Sequence, residues 1–238
     1  MFSFLRKSID QRGGLPFSVD CHSHLLPGVD DGVKSVEESL RILKLLEKEG
    51  LKTLWCTPHI MEGLSTNTDN LRSRFELLRS SYLESGGKIE LHLAAEYMLD
   101  AGFLKRFEAR DLLTYDGKKI LVECRTIGAP VKFYETIHLL LISGFTPVFA
   151  HPERYLYMDQ EALLRLKDDG VELQLDLPSL LAYFGEKERQ RASQWLKEGM
   201  YNYVGSDTHS YRMIERICQS ATISRKEYDL LGSLSSIV

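Results

Sequence analysis

The sequence predicts an α/β protein with a parallel sheet. A TIM-like (β/α)7 arrangement fits better than an open sheet, although element order alone allows both. Three observations carry this. Seven short apolar runs alternate with segments of helical periodicity. The 238 residues, 43% apolar and 27% charged, suit one large core and argue against disorder. Histidines and carboxylates gather where the apolar runs end, and in a parallel barrel those ends share one face.

In chain order, the first strand is expected over residues 17–21, after an exposed N-terminal arm, residues 1–16, that precedes a single domain, residues 17–238. A helix follows over 35–49, with Val36, Leu40, Leu43 and Leu46 on one face, a Ser35/Glu38 capping box and Gly50 as its stop. Residues 51–57 read as a buried strand closed by Pro58. Residues 68–83 read as a helix with Leu71, Phe75, Leu78 and Tyr82 aligned. Strands at 88–96, 119–124, 146–150, 171–176 and 202–205 complete the set. Helices are expected at 131–143, 160–168, 186–197 and from 211 onward.

Several classes fall away. The longest apolar stretch, near 137–142, contains His138 and is far short of the roughly 20 residues that span a bilayer. The N-terminus lacks the apolar core of a secretion signal, so a cytoplasmic location is expected. Net charge is −4 and no basic stripe is present, which opposes nucleic-acid binding. Cys21, Cys56, Cys124 and Cys218 have neither zinc nor redox spacing. None is followed six positions later by the Arg of a cysteine-phosphatase loop, so buried thiols are expected.

The strand ends carry the chemistry. The first ends in D-C-H-S-H, where His22 and His24, two apart on an extended chain, can grip one ion. The others end in T-P-H (His59), A-E (Glu96), V-E (Glu123), A-H-P-E-R (His151, Arg154) and S-D-T-H (Asp207, His209). Five of seven histidines sit there; mid-helix His138 and His92, well before its strand end, do not. Convergence of so many ligands implies a metal centre. There are too many for one tetrahedral ion, so a carboxylate-bridged cluster is expected.

These residues carry a resemblance. The runs D-C-H-S-H-L-L-P-G-V-D-D-G, T-P-H, A-A-E, V-E, A-H-P-E-R-Y and S-D-T-H resemble the bacterial protein-tyrosine phosphatases of the polymerase-and-histidinol-phosphatase (PHP) superfamily, found with capsule and exopolysaccharide synthesis genes. The match spans about residues 17–216. The resemblance implies a distorted (β/α)7 barrel with three divalent ions, most often manganese, with iron or zinc as alternatives. By motif, His22, His24, Glu96 and Asp207 would hold one ion. Glu96 would bridge to a second held with Glu123 and His151, and Asp31, His59 and His209 would hold the third. Only the motif selects Asp31 over Asp30; alone, D-D-G is a turn signal.

Arg154, three residues past His151, can fork onto a phosphate, although a surface pair with Glu153 would also explain it. The resemblance implies a second Arg after the last His; Arg216 fits the spacing better than Arg212. The ions would activate water to attack phosphorus, with Asp207 or His209 as acid for a phenolate that needs little help. Tyr97, Tyr155, Tyr157 and Tyr211 are either rim aromatics or ring-stacking residues, and residues 60–70 are expected at the rim. The implied substrate is a phosphotyrosine protein, a bacterial tyrosine autokinase. A small phosphoester such as histidinol phosphate, a nuclease, or a non-catalytic binding module are the rival readings.

Overall fold

The strands form wherever the apolar runs were expected, and two of those runs break in mid-course. A computed structural model describes residues 6–64 and 67–237. Its strands are β1 (Arg6–Lys7), β2 (Val19–Ser23), β3 (Thr53–Cys56), β4 (His59–Ile60), β5 (Glu90–Leu93), β6 (Glu96–Met98), β7 (Lys119–Glu123), β8 (Thr146–Ala150), β9 (Glu172–Asp176), β10 (Tyr203–Gly205) and β11 (Ile223–Ser224). The helices are α1 (Val36–Lys48), α2 (Thr68–Glu84), α3 (Phe103–Glu108), α4 (Phe133–Ile142), α5 (Gln160–Asp168), α6 (Leu177–Leu180), α7 (Glu186–Lys197), α8 (Tyr211–Gln219) and α9 (Arg225–Leu231).

Six strands pair in the order β10-β9-β8-β7-β6-β4 and three in the order β2-β3-β5, all parallel. The run at 51–57 becomes β3 and β4, because Pro58 has no N–H for the ladder. The run at 88–96 becomes β5 and β6. Backbone bonds from Ala94 N to Cys56 O and Glu96 N to Pro58 O keep the two broken runs side by side. At the other edge, Ser23 bridges Thr208 and Asp207 N donates to His22 O, which ties β2 to the segment after β10. The result is a curled parallel sheet with mixed α/β packing.

Alternation along each strand divides the core in two. Leu54, Cys56, Ile120, Val122, Phe149, Leu173 and Leu175 face the helices, packing with residues such as Ile42, Leu46, Leu140 and Leu163. Cys21, Trp55, Leu121, Val148 and Tyr203 pack together with Ala94, Tyr115, Ala150 and Ile237 on the concave side. Ser35 caps α1 by accepting from Glu38 N, but the box is half made, because the Glu38 carboxylate accepts from Tyr211 N instead. All four cysteines are buried and free.

The described part of the N-terminal arm packs against the domain and is exposed only in part. β1 pairs antiparallel with β11, Ile9 is fully buried, and Arg6 and Arg12 donate to Thr222 O and Ile223 O. Two residues are too few for alternation to reveal a strand that pairs with Ile223–Ser224 near the other end of the chain. The helix expected from 131 starts at Phe133, leaving Val131 exposed. Short α3, α6 and α9 carry too few turns for periodicity to announce them.

Candidate metal centre and its cavity

The ends of the parallel strands bring all nine expected ligands to one face. Four overlapping groups have ligand atoms within 4.8 Å of one another: His24, Asp31, His59 and His209; His22, Glu96 and His151; His22, His24 and Asp207; and His59, Glu96 and Glu123. Glu96 is common to two groups and fully buried at the centre, as a bridging carboxylate would be. Asp31 is the outermost, its side chain 71% exposed.

The backbone is bent to achieve this. β2 carries a register shift between Asp20 and Ser23, which lets Cys21 pack below while His22 and His24 turn to the cluster. His151 and Asp207 have φ of 36° and 47°, values non-glycine residues seldom adopt and which collect at functional sites. Gly32 lies against the His24 backbone and Gly205 against the His22 side chain. A Cβ on either glycine would collide with the histidine pair, which gives the glycine of D-D-G a steric reason beyond turning the chain.

Hydrogen bonds aim the imidazoles. His22 Nδ1 meets Gln174 Oε1 at 3.0 Å, His24 Nδ1 meets Asp30 Oδ2 at 2.9 Å, and His209 Nδ1 meets the Asp207 carbonyl at 2.8 Å. Each partner is an acceptor, so each Nδ1 carries the proton and each Nε2 presents a lone pair to the cluster. His22 Nε2 and His24 Nε2 then face each other at 3.1 Å. Two lone pairs at that distance repel unless a cation lies between them. His59 Nδ1, Glu96 Oε2, Glu123 Oε1 and Asp207 Oδ1 are buried without a hydrogen-bond partner, although His59 Nδ1 lies 2.9 Å from Glu96 Oε2 and 3.0 Å from Glu123 Oε1. These atoms converge on shared points as close ion pairs without well-aligned hydrogen bonds among themselves. The donor set therefore fits divalent cations.

The electrostatics agree. Burial alone would lower the histidines, but Glu96 and Asp207 hold His22 up at about 9, and the Glu96 and Glu123 carboxylates hold His59 up at about 10. The carboxylates demand positive charge at this spot. Asp207 is buried yet held well below the usual range by His22, His24 and His209. His151 is lowered to about 4 by burial and by Arg154, which leaves it neutral and able to ligate. Burial and neighbouring Glu96 raise Glu123.

Above the cluster opens a cavity of about 660 Å³, lined by Asp31, His59, Glu123, His151, Asp207 and His209 on its floor and by Arg154 at one side. Arg154 donates from Nη1 to Asp207 Oδ2 at 2.8 Å, and its guanidinium lies 4.4 Å from the centre of the Phe184 ring. Glu153 is not its partner; that buried carboxylate accepts from Asp176 N and Tyr201 OH.

Other expectations need correction. Arg216 and Arg212 do not line this cavity. α8 turns Met213, Ile214, Ile217 and Cys218 inward, so residues 212 and 216, four apart, share the outer face. They line a separate hollow with Tyr183, and Arg216 lies over that ring at 5.3 Å. Tyr97 and Tyr155 are fully buried. Tyr97 OH accepts from Leu113 N, and Tyr155 OH meets His151 Nδ1 at 3.1 Å as a support for that ligand. Tyr211 lies under Arg41, and Tyr157 donates to Arg125 O, outside the cavity lining. Of residues 60–70, Met61 to Leu64 line the rim, and 65–66 lie outside the described residues. His138 is exposed and His92 stacks on Trp55, both away from the cluster.

Fold and site together define an α/β protein with clustered His, Glu and Asp side chains able to bind metal beneath an open cavity. Residues 18–229 match the family described as capsular polysaccharide synthesis, CpsB/CapC, and the chain belongs to that family. It is 30% identical over 203 residues to the tyrosine-protein phosphatase CpsB of Streptococcus pneumoniae, covering 81% of this chain and 83% of that one. Among solved structures it shares its fold (TM-score 0.76, 22% identity, 92% of this chain and 96% of the other) with a structure from work on YwqE of Bacillus subtilis and CpsB of Streptococcus pneumoniae, described as metal-dependent tyrosine phosphatases. A histidinol phosphate phosphatase from Lactococcus lactis, bound to zinc, L-histidinol and phosphate, is a more distant fold neighbour (TM-score 0.51, 14% identity, 92% of this chain and 95% of that one). No helix among the described residues is long and apolar enough to cross a membrane.

Proposed function

We propose that this chain is a metal-dependent protein-tyrosine phosphatase, acting in the cytoplasm on the phosphotyrosines of a bacterial tyrosine autokinase that governs capsule or exopolysaccharide synthesis. The observation that carries the reading is the union of the convergent ligand cluster with Arg154 in one cavity. We read the two sheets as one distorted (β/α)7 barrel forming a single domain over residues 17–238. Three divalent ions, manganese by preference, would be held by His22, His24, Glu96 and Asp207; by Glu96, Glu123 and His151; and by Asp31, His59 and His209. Such ions supply Lewis acidity and a nucleophile from water at neutral pH.

The chain's own residues do the rest. Arg154, fixed between Asp207 and Phe184, presents its guanidinium to the dianionic phosphate and neutralises charge that builds on its oxygens. Asp207 is no proton donor near neutral pH: its carboxylate already sits well below the usual range, and a cation would depress it further. The phenolate of tyrosine, with a pKa near about 10, can leave with little acid assistance. His209 donates from Nδ1 to the Asp207 carbonyl and so holds its Nε2 toward Asp31.

The test uses chelated protein, assayed on a phosphotyrosine peptide and a phosphoserine peptide before and after manganese is added. Metal-dependent turnover that favours phosphotyrosine is expected. Metal binding without turnover of either peptide would transfer the reading to a small phosphoester or to a binding module.

A further inference from the structure

The cavity has a wall that the metal chemistry does not use. Besides the ligands and Arg154, the lining includes the apolar side chains of Met61, Leu64, Met98 and Ile127, set among Glu62, Cys124, Arg125 and Thr126. These residues follow from the strands that carry the ligands. Met98 ends β6 two positions beyond Glu96, so it is the next side chain outward on the same strand face, and Met61 directly follows β4, two positions beyond His59. Ile127 lies four positions beyond Glu123, on the loop that leaves β7. The apolar side chains thus stand one step above the ionisable floor.

Ile127 is 88% exposed, unusual for a branched aliphatic residue at the mouth of a polar site, and it has no packing role in the core to explain it. Among the described tyrosines, none stands in this cavity lining to offer an aromatic platform. Methionine is unbranched and polarisable and makes favourable contacts with ring edges, so Met61 and Met98 suit an aromatic guest.

We propose that Met61, Met98 and Ile127 form the surface on which the phenyl ring of the substrate phosphotyrosine rests, and that this wall adds to the preference for aryl over alkyl phosphomonoesters. The inference rests on the phosphatase reading above. The floor and Arg154 fix the phosphate low in the cavity, so the group bonded to its ester oxygen must rise past the wall. A phenyl ring reaches the wall and removes apolar surface from water; the short CH₂ of phosphoserine does not. Ions and arginine hold the same phosphate in both substrates; the better phenolate leaving group favours phosphotyrosine in the chemical step, and the wall adds discrimination in binding.

The test compares Ile127→Ala, Met61→Ala and Met98→Gln with wild type, all manganese-loaded, on phosphotyrosine and phosphoserine peptides, with inorganic phosphate as a competitive probe. Ile127→Ala, at an exposed position, keeps the experiment decisive if a methionine variant fails to fold. Each variant is expected to lose about 3- to 10-fold in kcat/KM for phosphotyrosine, mainly through KM. Phosphoserine turnover and the inhibition constant of inorganic phosphate should stay within about twofold of wild type. Equal losses on both peptides, or no loss on phosphotyrosine, overturn the wall. Wild-type protein that turns over neither peptide would overturn the phosphatase reading itself, a distinguishable failure.

Discussion

The two ends of the concave sheet face are made by the same strands and obey opposite rules. Toward the strand starts, Trp55, Tyr115, Leu121, Val148, Tyr203 and Ile237 fill the curl with apolar side chains. Two residues further along β7, at the same strand parity, Leu121 gives way to Glu123; from β8, Val148 and Ala150 give way to His151. Below, apolar contacts complete the packing, with Trp55 Nε1 the one polar atom of these side chains left without a hydrogen-bond partner. Above, four buried polar atoms find none. One half of the face is therefore finished by folding, and the other is finished only by a ligand. Mutations should separate the two cleanly.

The largest effect is expected where a cluster carboxylate loses its charge and keeps its shape. Asp207→Asn should lower phosphotyrosine turnover by at least about a thousandfold, because a site missing one ligand cannot hold its ions in working geometry. The chelated variant should melt lower than chelated wild type, since it weakens the pairing of Asp207 with Arg154, His22 and His24. Manganese at about 100 times its Kd should raise the Tm of wild type by roughly 5–10 °C, and that of the variant by less. A calorimetric scan of both proteins, with and without metal, checks this. A variant of near-normal activity would remove Asp207 from the centre.

Next in size is the contrast between the two arginines. Arg154→Ala should cost about 10²–10³-fold in kcat/KM while metal content by elemental analysis is unchanged. Arg216→Ala, on the outer face of α8 with its guanidinium over the Tyr183 ring, should cost no more than about fivefold. Equal losses would return Arg216 to the phosphate. Loss of metal in Arg154→Ala would make that residue a support for Asp207.

The asymmetry also explains what could be read in advance. Ligand types at strand ends are written locally, so H-x-H, T-P-H and S-D-T-H point to the floor of the site from the residues alone. Asp31 needed the longer D-D-G resemblance, and its neighbour Asp30 proves equally placed: it is buried, supports His24 and accepts from His59 N at 3.0 Å. Gln174 could not be foreseen, because its contact with His22 spans 152 positions and a glutamine in a strand has no local signature. The same holds for Phe184 over Arg154. Helical periodicity located α1, α2, α5 and α7 but was silent on the joining of the two termini through β1 and β11.

A moderate effect is expected in the apolar half. Leu121→Ala, fully buried on the concave side, should cost about 2–5 kcal/mol of stability through lost burial and an unfilled cavity. Activity per folded molecule should hold within about twofold if the two halves are separable. Urea unfolding and active-site titration on the same preparation give both numbers. A fall in turnover that matches the loss of stability would show that the lower packing also sets the ligand geometry above it.

The smallest effect tests the rule on a buried carboxylate outside the cluster. Glu227 is 3% exposed at its side chain, like the buried acids of the cluster, but its partners are supplied by the protein. It accepts from Ser224 and Ser193 hydroxyls and from Ser224 N, with Arg6 at 3.7 Å. Burial would raise its pKa, but these contacts bring it from 4.5 down to about 2. A carboxylate whose folded pKa is depressed binds fewer protons when folded, so its stabilisation is complete above about 4.5 and is lost as pH falls toward about 2. Glu227→Gln should therefore cost about 1–3 kcal/mol at pH 7, with the gap from wild type closing as pH falls from 4.5. Metal should not alter that gap. Urea midpoints at pH 7, 5, 4 and 3, taken on chelated and loaded protein, measure it. A gap independent of pH would mean that Glu227 acts by shape alone, and a gap that changes with metal would tie the terminal pairing of β1 and β11 to the ligand cluster.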